Sequence, residues 1–447
     1  MPIVARPGAP ADPVTLADLH RTSRRRALRM LATTTGLGVA TATGWRPAGA
    51  AGRPASLTVA AYPAVDAMVR EAIPRWRELH PEVAIEVVSR QFADHHTAMT
   101  TALSTSVRLP DVMALEVGYV GRFARGGGLE DLSQPPWGAQ ALAGRWVPFA
   151  VAQAAGRGGG LVAAPLDIGP GTLLYRQDIL ERTGVAPDSL TRSWESYLDA
   201  GRRIRAATGA VLVAHAREVK DILIRAGLEP GQGLYFDSQS RVLVNSPRFE
   251  RAFALAREVR RLGLDRRLAA WSNEWSEAFR RGMLATQMSG AWLAGHLSNW
   301  LAPATRGLWR AAPLPEGTEV AYGGTFLALP RGAAAGGKAL AWEFVRLMTL
   351  DRSVQLQSFK RHDAFPALVA AHDDAWFDEP IPFLGGQPAR RLWRDSARRI
   401  RAAAVHKHDA FAAEVIDTEL DKVLDRGKPI ATALADAERL LARRALR

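Results

Sequence analysis

Apolar positions along this chain follow two rhythms. Leu57-Thr58-Val59-Ala60-Ala61-Tyr62 is a short apolar run with the length of a buried strand. From Asp66 to Leu79, Val69, Ile73, Trp76 and Leu79 recur at helical spacing, with Pro74 placed to kink the helix. His80-Pro81 closes it, because the residue before proline is pushed out of helical geometry. A second strand over 83–88, a helix over 92–103 and a strand led in by Leu109-Pro110-Asp111 and running to Leu115 continue the alternation. Alternating strands and helices of this length predict a parallel α/β sheet. Beyond Asp178 the pattern turns mostly helical, over 177–183, 194–207, 247–262 and 275–282. A strand returns at 325–329, then helices follow over 338–350, 389–404 and 410–425, and a last one from Pro429. Strands early, helices late and a strand near residue 325 predict a chain that crosses between two lobes more than once. Gly126-Gly127-Gly128 and the glycine-rich 156–160 lack the spacing of a phosphate cradle and read as surface loops.

The first fifty residues have a different character. Ser23-Arg24-Arg25-Arg26-Ala27-Leu28-Arg29 precedes a mildly apolar run, about 30–43, that ends at Ala48-Gly49-Ala50. Paired arginines, a short apolar stretch and small residues at alternate positions read as a twin-arginine export signal, with cleavage expected after Ala50. The run is too short for a bilayer-spanning helix, which needs ~20 apolar residues. The leader holds seven of the arginines and two of the aspartates, so the net charge of +13 falls to +8 without it. The remaining basic residues are scattered, with no aromatic-interleaved stripe, so no nucleic-acid partner is expected. Residues 51–447 are long enough for two lobes, each with its own core. The absence of cysteine excludes disulfides, thiolate metal sites, a cysteine nucleophile and a lipid-modified cysteine anchor. A periplasmic protein, free of the membrane after signal cleavage, is the expectation.

Trp76-Arg77-Glu78-Leu79-His80-Pro81 before a strand, and Leu109-Pro110-Asp111-Val112 through Glu116-Val117-Gly118-Tyr119, open a series of segments that, in order, resemble the extracellular solute-binding proteins of ABC importers, the family that includes maltose-binding protein. Pro165-Leu166-Asp167 to Tyr175-Arg176-Gln177-Asp178 is similar to the family's first interlobe crossing, with Arg176-Gln177 where Asn-Lys is usual. Ser193-Trp194-Glu195 resembles a capped helix start with Ser193 as N-cap. Met288-Ser289-Gly290-Ala291-Trp292 resembles a Gly-Pro-Trp turn with alanine for proline, and Gly323-Gly324-Thr325-Phe326-Leu327-Ala328-Leu329-Pro330 is the nearest match. Asp363-Ala364-Phe365-Pro366 is similar to the third crossing. The resemblance implies an α/β, two-lobe periplasmic-binding-protein-like fold with a ligand cleft between lobes joined by hinge crossings. Lobe one would take 57–166 plus 327–363, and lobe two 170–322 plus 367–447.

Ligands of open α/β sheets bind beyond the carboxyl ends of the strands. Tyr62, Gln91, Glu116 and Tyr119 fall at those ends. On the resemblance, Asp167 lies at the first crossing and Trp292, Tyr322 and Gly324 line the other wall. Aromatic faces stack on the C–H faces of sugars, and carboxylates accept strong hydrogen bonds from hydroxyls. The implied function is therefore capture of a carbohydrate-like solute by a monomeric receptor and its delivery to inner-membrane ABC permease subunits, with no cofactor and no catalysis. Two alternatives stand beside it. One is an exported carbohydrate-active enzyme using Glu116 and Asp167 as a carboxylate pair; the other is the same receptor fold holding a polyamine or an organic anion. Trp271 and Trp275 stay ambiguous between packing and binding. His95-His96, His362-Asp363 and His406-Lys407-His408 lack the i, i+4 spacing that aims two imidazoles at one metal.

Overall fold

In a computed structural model of the chain, residues 56–445 are described, Arg157 apart. The expected export signal lies outside the described residues. The early alternation is present as β1 (Ser56–Ala61), α1 (Val65–Leu79), β2 (Ala84–Ser89), α2 (Phe92–Thr105), β3 (Val112–Glu116) and α3 (Val117–Gly126). The chain continues through α4 (Pro148–Gln153), β4 (Ala164–Arg176), α5 (Gln177–Thr183), α6 (Trp194–Thr208), α7 (Arg217–Arg225), α8 (Pro247–Arg261) and α9 (Asn273–Arg280). Then come β5 (Thr286–Gly290), α10 (Leu293–His296), β6 (Trp309–Ala312), β7 (Ala321–Ala328), α11 (Lys338–Leu350), α12 (Arg352–His362) and β8 (Phe365–Pro366). Helices α13 (Ala389–Ala397), α14 (Asp409–Arg426) and α15 (Ile430–Ala445) close the described chain. None of these helices is long and apolar enough to cross a membrane.

Local chemistry explains many of the boundaries. Helix α1 runs through Pro74 and ends at His80, whose N–H still reaches the Trp76 carbonyl. Ser193 caps α6 as expected: its hydroxyl accepts from the Ser196 amide at 3.1 Å while the Ser196 hydroxyl accepts from the Ser193 amide at 3.1 Å. Helix α13 stops at Ala397, short of the predicted Ala404, and β7 begins at Ala321 rather than Thr325. Strand β4, α7 and α12 were not anticipated. Strand β4 carries two prolines and two glycines, which hide its extended character in any sequence pattern.

Among the described residues eight strands join in one sheet, ordered β2-β1-β3-β7-β4-β5, with β6 and β8 also paired to β4. β1 is parallel to β2 and β3, whereas β7 enters antiparallel to β3. The long strand β4 pairs with β7 and β8 through its first half and with β5 and β6 through its second. At Asp167 and Ile168 three segments lie side by side, because both residues pair with Thr325 and Gly324 on β7 and with Pro366 and Phe365 on β8.

Buried apolar side chains gather in two clusters. The first combines Leu57 to Ile168 with Phe326 to Phe359, and takes in Trp275, Phe279, Trp309 and Phe365 to Ile400. The second combines Leu173 to Leu264 with Leu314, Val320 and the apolar faces of α14 and α15. Lys220 of α7 sits in the second region with its side chain 2% exposed, held by Asp221 Oδ1 and Asp417 Oδ1 at 2.6 Å each. Burial alone would depress the ammonium, but the two carboxylates hold it above its ordinary range. Lys220→Met removes the cation and leaves two partly buried carboxylates facing each other. Urea denaturation at pH 7 is expected to show a loss of about 3 kcal/mol, and adding Asp417→Asn should recover part of it. A loss near zero would mean that solvent already screens the triad.

Candidate functional site

The strand ends and the crossing build one polar region. Tyr62 follows β1 and is almost fully buried; its hydroxyl hydrogen-bonds the Thr325 hydroxyl at 2.8 Å across to β7. Its ring meets Phe92 edge-on at 5.2 Å and lies 5.4 Å from both His95 and His96. Burial, and then the charge of Asp167, hold the phenol well above its usual range. Glu116 ends β3 and caps α3, with Oε2 accepting the Gly118 amide at 2.7 Å. Burial raises its carboxyl to about 7; the Gly118 amide and the Arg225 guanidinium pull against that shift, and Asp167 adds to it. Asp167 is raised as well, chiefly by burial and against hydrogen bonding to Thr325. Its Oδ1 is buried with no hydrogen-bond partner among the described residues.

Tyr119, in the first turn of α3, stacks on His96 at 3.9 Å with 18° between the planes, and Phe92 meets it edge-on at 6.0 Å. Both histidines serve backbone groups. His95 Nε2 is 2.7 Å from the Ala114 carbonyl, while His96 Nδ1 is 2.8 Å from the Phe92 carbonyl and its Nε2 accepts the Glu116 amide at 3.1 Å. Burial lowers both rings, His96 to about 4, so they are neutral spacers beneath Tyr62 and Tyr119.

The remaining residues belong to the other side of the crossing. Trp292 precedes α10, and its Nε1 donates to the Tyr322 carbonyl at 2.8 Å. The indole lies so close to Gly290 and Gly323 that a Cβ at 323 would be 2.9 Å from Nε1. Gly324 has φ 137°, a conformation that favours glycine, and a Cβ there would approach the Asp167 carbonyl to 3.1 Å. Tyr322 is covered by the Arg225 guanidinium, 4.7 Å above its ring. Gln91 is set apart: it caps α2 with an exposed side chain, and its carbonyl receives the His95 amide at 2.8 Å. Arg361, near the third crossing, is ion-paired with Glu71 at 3.2 Å.

Two features were missed in the sequence. One is Arg225, the last residue of α7, whose Nη1 donates to the Asp221 carbonyl at 2.8 Å while its charge acts on Glu116 and Tyr322. Its only signal in the sequence is the helical spacing of Val219, Ile222 and Leu223. The other is an aromatic group of Trp271, Trp292, Trp300 and His296; of these the sequence motifs point to Trp271 and Trp292 alone. The region thus offers carboxyl groups, a phenol, a guanidinium and several aromatic faces, a set suited to a ligand with hydroxyl edges and apolar faces.

Residues 55–355 match the family profile of bacterial extracellular solute-binding proteins. A lactose-binding protein of Rhizobium radiobacter is 24% identical over 397 residues, 83% of this chain and 88% of the relative. Among solved structures, an extracellular solute-binding protein of family 1 superposes with a TM-score of 0.75 at 25% identity, over 88% of this chain and 100% of the other. An ABC-transporter-associated binding protein of B. animalis subsp. lactis Bl-04, in complex with β-1,6-galactobiose, gives a TM-score of 0.72 at 19% identity, over 87% of this chain and 97% of the other.

Glu116 makes stability pH-dependent in a defined direction. The folded carboxyl keeps its proton up to about 7, whereas the unfolded one loses it near 4.5. Between those values the folded state binds more protons, so stability falls as pH rises and levels off above pH 7. Glu218, raised by burial to about 8, contributes a fall of the same sign. Urea midpoints at pH 5 and pH 8 should therefore differ more in the wild type than in Glu116→Gln, which still offers an oxygen to the Gly118 amide. Equal differences in the two proteins would show that Glu116 titrates like an exposed glutamate.

Proposed function

The chain belongs to the bacterial extracellular solute-binding protein family, and we propose that it captures a carbohydrate in the region around Asp167 and delivers it to the permease of an ABC transporter. The observation that carries this reading is the buried Asp167 Oδ1, without a hydrogen-bond partner among the described residues, whose charge acts on both Glu116 and Tyr62. A sugar hydroxyl satisfies that oxygen, and a buried acceptor left unmet disfavours any analogue that lacks the hydroxyl. The relatives named above bind lactose and β-1,6-galactobiose, which supports a saccharide here.

In this reading lobe one comprises 57–166 and 327–363, lobe two comprises 170–322 and 367–447, and the segments meeting at Asp167–Ile168 are the hinge. Ligand favours the closed arrangement because only there does it touch Glu116 and Asp167 on one side and Trp292 and Tyr322 on the other. The approach of α3 to the segment before α14 is consistent with closure: a Cβ on Gly121 would be 2.6 Å from the His406 carbonyl oxygen. Closure removes water from the carboxyl groups and strengthens their hydrogen bonds. The receptor acts as a monomer, works in the periplasm and performs no chemical step. Residues 1–50 direct its export as a twin-arginine signal.

Two measurements test these statements. Residues 51–447 should gain ~2.7 kcal/mol of stability with a sugar present at 100 times its Kd, read as a thermal shift, and Asp167→Ala should abolish most of it. Hits confined to polyamines or organic anions would discard the sugar, and a shift that fades as product accumulates would make the protein an enzyme. For export, the N-terminal residue of the periplasmic protein should be Ala51. Replacing Arg24, Arg25 and Arg26 together by lysine should leave the full-length chain in the cytoplasm, and undiminished export of that variant would exclude the twin-arginine route.

A further inference from the structure

We propose that the ligand carries an amino group, so that the carbohydrate captured here is an amino sugar whose ammonium lies between Glu116 and Asp167. The inference rests on the carbohydrate reading above and narrows it to one class of sugar.

The sheet itself sets the two carboxyl groups on either side of one threonine. Glu116 of β3 and Asp167 of β4 are both register partners of Thr325 on β7, the strand that runs between them. Residues directly opposite in an antiparallel ladder share one face of the sheet. Two strand spacings put the Cα atoms of Glu116 and Asp167 roughly 10 Å apart. A small ligand group fits in that span, within reach of both side chains. Both residues are half-buried, set deep without being sealed off.

What the pair lacks is a cation. Elsewhere the chain matches its buried acids with bases: Asp265 with Arg260 at 3.0 Å, Asp237 with Arg241 at 2.6 Å, and Glu419 with Lys422 and Lys428 at 2.6 Å each. Among the described residues Glu116 and Asp167 form no ion pair. Glu116 Oε2 accepts the Gly118 amide, and Asp167 Oδ1 accepts nothing. A carboxylate taken out of water without a counter-charge is costly, and burial accordingly favours the protonated form of both groups. Arg225 is already engaged in a set that balances itself. In that set Arg217 meets Asp421, Lys220 meets Asp221 and Asp417 at 2.6 Å each, and Arg225 meets Asp221 at 3.5 Å, three cations against three carboxylates.

An ammonium on the ligand supplies the missing charge. It donates up to three hydrogen bonds, each charge-assisted and roughly twice as strong as one between neutral groups. Asp167 Oδ1 is the first acceptor open to it. A uronic acid, by contrast, adds a third negative group to the pair, and a polyamine brings more charge than the pair balances, within the field of Arg225. Binding of the cation favours ionised Glu116 and so expels the proton that burial holds there up to about pH 7. The other groups facing Glu116 are Arg225, Asp167, Tyr62 and Tyr119. Asp167, also raised, acts with the same sign; the two phenols, raised by burial, keep their protons, and His96, which accepts the Glu116 amide, is neutral. The preference for an amine therefore grows from pH 5 to pH 7.

The test is a calorimetric titration of the full chain with glucosamine and galactosamine, with their N-acetyl forms, and with glucose and galactose. At pH 7 at least one amino sugar should bind about tenfold more tightly than both its N-acetyl form and its parent sugar, and that ratio should shrink at pH 5. Asp167→Asn and Glu116→Gln should each reduce the ratio while changing the affinity for the neutral sugar less. Both replacements keep the side chain's shape and an oxygen acceptor, and circular-dichroism melts check that they fold; the wild-type comparison at the two pH values decides without them. If a neutral or N-acetylated sugar binds as tightly as its amine, if the ratio is the same at both pH values, or if both folded variants keep it, the amino-sugar proposal is refuted and the carbohydrate reading stands. If none of the six sugars binds the wild type, the carbohydrate reading fails and the proposal with it.

Discussion

The structure depends on one crowded crossing, where β4, β7 and β8 lie edge to edge at Asp167 and Ile168. Backbones come so close there that side chains have no room. A Cβ on Gly169 would collide with the Tyr322 carbonyl, and Gly323 and Gly324 have φ of 89° and 137°. The ladder is irregular between Pro165 and Asp167 and again between Ile168 and Pro170, so β4 bends as it passes from one hydrophobic cluster towards the other. A bend of this kind, made by backbone pairing and short of side chains, is where two lobes of an α/β receptor can rotate without breaking either core.

The same crossing determines the electrostatics. It buries Asp167 against Thr325 and places it near Glu116 and the Tyr62 phenol, three acidic groups with little access to water. Burial is the largest cause of each shift, and it favours the protonated form of both carboxyl groups, Glu116 up to about 7. Arg225, from the second cluster, offsets the accumulation of negative charge and lies against Tyr322. A site with both donors and acceptors, walled by aromatic rings, matches the alternation of hydroxyl and C–H surface on a sugar. It matches a bare polycation less well, because Arg225 repels one.

Aromatic residues take two separate roles. The pairs Trp76 with Phe344 and Trp194 with Tyr197 pack edge-on inside the cores. Phe92, Tyr119 and Tyr62 instead cluster around two neutral histidines at the strand ends, and Trp271, Trp292 and Trp300 cluster around His296. In both groups an imidazole hydrogen bond fixes a neighbour: His96 accepts the Glu116 amide, and His296 accepts from Trp300. Histidine next to aromatic residues is here a means of orienting rings.

Much of this was legible in the chain itself. Helical spacing over Val69, Ile73 and Trp76, the apolar run at 57–62 and the Ser193 cap are local signals, because apolar periodicity and capping depend on residues within a turn or two of one another. They determined the α/β class and the helices α1, α2, α6 and α8, and the strand-end rule singled out Tyr62, Glu116 and Tyr119. Strand β4 escaped because its proline- and glycine-bearing sequence is extended only through partners more than a hundred residues away. Arg225, Thr325 and Trp300 escaped for the same reason, and Gln91 proved exposed. Which charges share a buried volume, and which rings lie parallel, is decided by pairing and packing between distant segments. Only the tertiary structure sets Asp167 against Thr325, Arg225 over Tyr322 and Trp292 on the Tyr322 carbonyl, because these residues lie on segments far apart in the chain.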